Sequence, residues 1–395
     1  MIAVKPPAVS SAKIDGERAG PEGPIIQQGV PLGKVFGIPI RLDYSWFVIL
    51  ALLAWMLGGS YFPTEFPGWP PALYWVMGVL TAVAFFASLL LHELGHSLVA
   101  LRYKVPVRSI TLFVFGGVAQ IAGEPPSAKA EFRIAIAGPI VSLALGLLFY
   151  AAQPLLEALP PLLAMARYLT FMNLALALFN LIPGYPLDGG RVLRAAAWAI
   201  TRNLRRATVF AANAGRGFGL GFILLGVWEM LGGNFGGLWL AFIGWFLHSA
   251  ASAQLMQTAY QGLLAGHTVS QAMGARCPAV NADLALQRLV DEHVLERGER
   301  CFLVERDGRT LGLVTVHQLK RVPRAEWATA TVERIMLPLG RSHSVGPRTG
   351  LVAALQLMDR DGVNQLPVTA DGRVLGMLSR EDVISYLRTL QELQA

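Results

Sequence analysis

The chain has 395 residues, 54 % of them hydrophobic and only 15 % charged, with a net charge of +7. Soluble globular chains carry about 25 % charged residues, so the composition argues against a purely soluble enzyme, a disordered chain or a nucleic-acid-binding protein. The two cysteines, Cys277 and Cys301, make neither a disulfide framework nor a zinc-finger spacing and read as reduced cytosolic residues.

In chain order, residues 1–30 are rich in Pro, Gly and Ser without apolar periodicity, and they lack the apolar core and cleavage site of a signal peptide. They are expected to form a disordered cytosolic tail. Six apolar runs follow, at about 44–59, 73–100, 134–152, 167–183, 218–231 and 238–256. A bilayer span needs roughly 20 residues. The fifth run is short and glycine-rich, which suggests a tilted or partly re-entrant segment.

Basic residues alternate across the connections. Lys5, Lys13, Arg18, Lys34 and Arg41 precede the first run. Arg102, Lys104, Arg108, Lys129 and Arg133 follow the second, and Arg191, Arg194, Arg202, Arg205 and Arg206 follow the fourth. The other three connections between runs carry none. The positive-inside rule then predicts a multi-pass cell-membrane protein with both termini cytoplasmic. The net charge marks topology and attraction to anionic lipid rather than nucleic acid.

Inside the second run stands Leu91-His92-Glu93-Leu94-Gly95-His96. Ionisable groups in a span are costly and usually functional. Four helical residues turn through about 400°, so His92 and His96 share one face. Two imidazoles so placed suit one tetrahedral Zn2+, and Glu93, one step round, suits a general base. A catalytic zinc needs a third protein ligand. The topology brings the end of the fourth run, Asn180-Leu181-Ile182-Pro183-Gly184-Tyr185-Pro186-Leu187-Asp188-Gly189-Gly190-Arg191, to the same depth. Its prolines and glycines stop the helix and let Asp188 turn back toward the histidines. As an alternative, Asp188 caps the arginine-rich segment after it.

HELGH in one span with NLIPGYPLDGG after a later one resembles the site-2 protease family of intramembrane zinc metalloproteases. The resemblance covers about residues 31–260. It includes Gly33–Ile38 with Ile40-Arg41-Leu42, then Phe115-Gly116-Gly117, Gly138-Pro139 and Asn173, and departs at Asp43-Tyr44. It implies hydrolysis of a peptide bond in a transmembrane segment of a membrane-protein substrate, which must locally unwind because helical peptide bonds are shielded. Glu93 would take a proton from water and deliver it to the leaving amine. The segment at 107–121, with Gly116 and Gly117, either pairs edge to edge with the extended substrate or packs as a re-entrant hairpin. Asn173 either holds the substrate backbone or oxyanion, or joins helices. Arg191 reads as a topology anchor and His248 as a packing residue.

Residues 266–395 are charged and free of long apolar runs, and they repeat. Thr268–Met273 recurs as Thr331–Met336, and Leu311–Thr315 as Leu375–Ser379, a period of about 63 residues. Each copy reads as strand, helix, strand, strand, helix. The pattern resembles a tandem pair of CBS domains, at 266–322 and 329–391. That resemblance implies an adenine nucleotide, ATP or AMP, bound between the copies with Ser379 and Asp382 on the ribose. The first copy has Thr315 and Gln318 there, with no carboxylate. Alternatively Asp382 only caps the last helix. The resemblance also implies a homodimer. His248, His267, His293, His317 and His343 lack ligand spacing, and none is assigned to metal.

The expected fold is therefore a polytopic α-helical membrane domain of about six helices with a short β segment, joined to a soluble α/β CBS module. The expected activity is zinc-dependent intramembrane proteolysis under nucleotide control. The competing readings are a CBS-bearing channel or transporter, and another H-E-x-x-H membrane protease with a glutamate as third ligand.

Overall fold

The computed structural model describes residues 29–394 apart from 115, 122, 275–276, 339–343 and 371–372. The expected tail up to residue 28, Phe115, His343 and the His317 side chain lie outside the described residues. Gly29 and Val30, assigned to that tail, instead open a strand.

Among the described residues, six helices are long and apolar enough to cross a membrane. The first is α1 (Tyr44–Met56), which continues through a π turn to Glu65. Asp43 caps it, its Oδ1 accepting from the Ser45 backbone N–H (2.9 Å) and hydroxyl (2.6 Å). This gives the unusual Asp43 a local role. Then come α2 (Pro71–Arg102), α3 (Ala128–Ala152) and α4 (Pro160–Asn180). A shorter helix, α5 (Asp188–Thr201), leads to α6 (Leu204–Leu231) and α7 (Gly237–Leu264).

The fifth span is thus a 28-residue helix starting at Leu204, not a short re-entrant piece starting at 218. Arg205, Arg206 and Arg216 dilute its hydropathy, while the alanine-rich stretch between them sustains the helix. Its glycines serve contact: a Cβ on Gly219 or Gly226 would lie 2.7 Å from the His248 nitrogen or 2.4 Å from the Gly237 carbonyl. Small residues of this kind let two helices approach closely in lipid.

The segment at 107–121 forms the hairpin β3 (Val107–Phe113) and β4 (Gly116–Ile121). A second hairpin before α1, β1 (Gly29–Val35) with β2 (Ile38–Asp43), extends it to a sheet of order β1-β2-β3-β4. Strands β2 and β3 run parallel, with Ile40 opposite Ile110. Strand β4 is therefore an edge. Ile38, Leu94 and Ile110 bury together, seating the sheet on α2 beside the H-E-x-x-H turn.

Among the described residues the soluble part holds two main cores, and they exchange their leading segments. The first core, from Val280 to Val322, is completed by Ala330 and Val332 of the second repeat. The second, from Val345 to Val383, takes in Leu264, Val269 and Ala272. The last turn of α7 is thus part of the second core. Arg108 of β3 donates to the Asp359 carbonyl (3.0 Å), so the helix Leu351–Asp361 also touches the sheet.

The cysteines differ from expectation, for Cys277 and Cys301 are joined by a disulfide. The reason is register: strand Ala279–Asn281 lies parallel to Cys301–Arg306 with Ala279 opposite Leu303, which puts Cys277 opposite Cys301. Two residues 24 apart in sequence become neighbours only through that pairing.

Candidate metal centre

Helix α2 places His92 and His96 one turn apart on a buried face. Helix α3 crosses them and sets their rings. His96 Nδ1 donates to the Ile134 carbonyl (2.6 Å), and His92 Nδ1 is hydrogen-bonded to the Ser142 hydroxyl (2.8 Å). Both Nε2 atoms then face one point. Asp188 arrives there as the first residue of α5; Leu187 is the residue capping that helix, so Asp188 is not the cap.

The Asp188 Oδ2 lies 3.2 Å from His92 Nε2 and 3.1 Å from His96 Nε2, and the two Nε2 atoms are 3.2 Å apart. Ligand atoms about 2.0–2.1 Å from a tetrahedral zinc lie roughly 3.3 Å from one another, so this triangle fits one face of the coordination shell. The donor chemistry agrees. A neutral His96 that donates through Nδ1 keeps a lone pair on Nε2, aimed at a carboxylate and a second imidazole nitrogen. A cation relieves that convergence.

The space in front of these atoms exists because residue 138 is glycine. A Cβ there would sit 2.2 Å from His96 Nε2 and 2.6 Å from His92 Nε2. Gly117 of β4 likewise faces Glu93, where a Cβ would be 2.6 Å from its Cγ. Gly116 takes a positive φ of 129°, which a side chain would strain. The edge strand therefore lies against the Glu93 side chain.

Asn173 is fully buried and one step removed. Its amide nitrogen donates to the Leu169 carbonyl (2.8 Å) and the Ser88 hydroxyl (3.3 Å), leaving Oδ1 without a partner among the described residues. An acceptor is what it has to offer. In the soluble part, Asp382 Oδ2 accepts from the Ser379 backbone N–H (2.8 Å) and hydroxyl (2.6 Å), a helix cap. Thr315 and Gln318 form the equivalent box in the first repeat. Ser142, the Ile134 carbonyl and Gly138's clearance were not assigned from the sequence.

The family model for peptidase family M50 matches residues 80–160 and 157–224, and the CBS domain model matches 332–389. Rip3 of Mycobacterium tuberculosis, which bears the name of a zinc metalloprotease, is 39 % identical over 91 % of this chain and 92 % of its own length. This chain belongs to peptidase family M50. A similarly named protein of Synechocystis, sll0528, is 35 % identical over 93 % of this chain and 97 % of its own. Among solved structures, the site-2 protease from Methanocaldococcus jannaschii is 30 % identical, covering 57 % of this chain and 95 % of its own, with a TM-score of 0.40. This M50 member is a zinc metalloprotease of the site-2 protease family, with six candidate membrane helices and a CBS region.

Proposed function

We propose that His92, His96 and Asp188 hold one zinc, and that Glu93 uses it to hydrolyse a peptide bond in a transmembrane segment of a membrane-protein substrate. The observation that carries this is the convergence of three lone-pair atoms, 3.1–3.2 Å apart, in front of Gly138. Zinc, when bound, supplies Lewis acidity that acidifies water and polarises a carbonyl. Glu93, adjacent to His92 in the same helical turn, takes the proton from the attacking water and passes it to the leaving amine.

Unwinding a transmembrane substrate frees backbone N–H and C=O groups that lipid cannot satisfy. The edge of β4 offers the matching groups beside Glu93, so Gly116 and Gly117 bind the substrate as an added strand. Asn173 Oδ1 serves as an acceptor for a substrate N–H, not as an oxyanion donor. The basic ends of the spans support a cell-membrane topology with both termini cytoplasmic. There the CBS pair binds ATP or AMP at Ser379 and Asp382 and associates as a homodimer.

Two measurements test this reading. Purified wild-type protein should hold about one zinc per chain, and Asp188→Ala should lose most of it. Unchanged zinc in that variant would move the third ligand elsewhere, as in a protease using a glutamate. Millimolar ATP or AMP should raise the melting temperature of the wild type and not of Asp382→Ala. No shift in either would leave the CBS pair as a docking module.

A further inference from the structure

Helix α3 carries a second polar feature on the face that orients the histidines. Glu131, Ile134, Gly138 and Ser142 succeed one another at spacings of three, four and four, one stripe of an α-helix. Ile134 and Ser142 fix His96 and His92. Glu131, fully buried, instead reaches α5. Its Oε1 accepts from Arg194 Nε (2.5 Å) and from a second nitrogen of the same guanidinium. Arg194 also sits over the Tyr185 ring, 5.4 Å from its centroid, in the loop that delivers Asp188.

A buried carboxylate held on one oxygen, with its other oxygen unpartnered among the described residues, is a costly device for packing alone. Arg194 lies six residues beyond Asp188 on α5, less than two turns. We infer that the Glu131–Arg194 pair is a positioning clamp: it sets the depth and rotation of α5 against α3, so that Asp188 Oδ2 meets the two Nε2 atoms that α3 has already aimed. One helix face then places all three ligand atoms. Neither residue touches the reacting atoms.

The inference rests on the His92–His96–Asp188 reading, and the test separates the two. Removing one partner leaves a buried unpaired charge and unfolds the site for trivial reasons. The decisive variant is therefore the apolar pair Glu131→Leu with Arg194→Met, beside Arg194→Lys, which keeps the charge and loses the fork. Zinc affinity is read by chelator competition, the site geometry by the visible absorption of the cobalt-substituted protein, and cleavage by kcat and KM separately. In the paired variant we expect zinc to bind at least tenfold more weakly, cobalt bands to shift, and kcat to fall with KM unchanged. The metal-free melting temperature should stay within about five degrees of wild type, since apolar replacement of a buried pair is commonly near neutral. Arg194→Lys should show the same changes at smaller size. Zinc affinity within twofold of wild type and an unshifted cobalt spectrum in the paired variant would overturn the clamp. Zinc retained by Asp188→Ala would instead overturn the ligand reading beneath it.

Discussion

Three side chains can meet in front of α3 because Gly138 has none. Gly138→Ala would put a methyl carbon 2.2 Å from His96 Nε2, inside any contact distance. The variant should keep its helices by circular dichroism and lose zinc by elemental analysis; full zinc occupancy would contradict the geometry. Ser142→Ala is milder. It removes the partner of His92 Nδ1, so zinc affinity should fall about 10–100-fold, the usual range for an outer-shell partner. His92, Glu93, His96 and Asp188 were legible in the sequence because ionisable residues stand out in or beside an apolar run. The Ile134 carbonyl was not, since every residue has one, and Ser142 was one small hydroxyl among many.

Between elements, α6 holds the loop before α5. The Tyr185 N–H donates to the Ala211 carbonyl (3.2 Å), and Gly215 lies so close that an added Cβ would be 2.0 Å from the Tyr185 carbonyl oxygen. Gly215→Ala must push that loop, at a cost of about 1–3 kcal/mol for overpacking. Melting temperature and zinc content should fall together; a variant with both unchanged would show that α6 does not support the centre. Apolar runs located all six spans, but the start of the fifth was hidden because Arg205, Arg206 and Arg216 break the run without breaking the helix. The β1–β2 hairpin was hidden for another reason: its strands gain meaning only by pairing with β3. The Cys277–Cys301 disulfide likewise depends on a register between strands that no local pattern reveals.

At the scale of the whole molecule, the repeat of about 63 residues was visible, but the exchange of its leading segments was not. A linear repeat boundary assigns Val269 to the first copy, yet its side chain is buried in the second core with Leu351 and Met358. Val269→Asp should therefore remove amide-exchange protection from strand Gln365–Ala370 and spare Cys301–Arg306, because an unpaired charge opens the core it enters. Loss of protection in Cys301–Arg306 alone would contradict the exchange. Since Leu264 ends α7 and is buried in that same core, membrane helix and soluble module share one packing unit.

In the proposed mechanism this site cleaves peptide bonds with Glu93 as the proton carrier. Its most direct test is Glu93→Gln in the full-length protein, reconstituted with a reporter bearing a single transmembrane segment and assayed beside its zinc content. Zinc should be retained near the wild-type level and cleavage reduced by at least about 100-fold, the scale of general acid–base catalysis. Cleavage at the wild-type rate with zinc bound would contradict it.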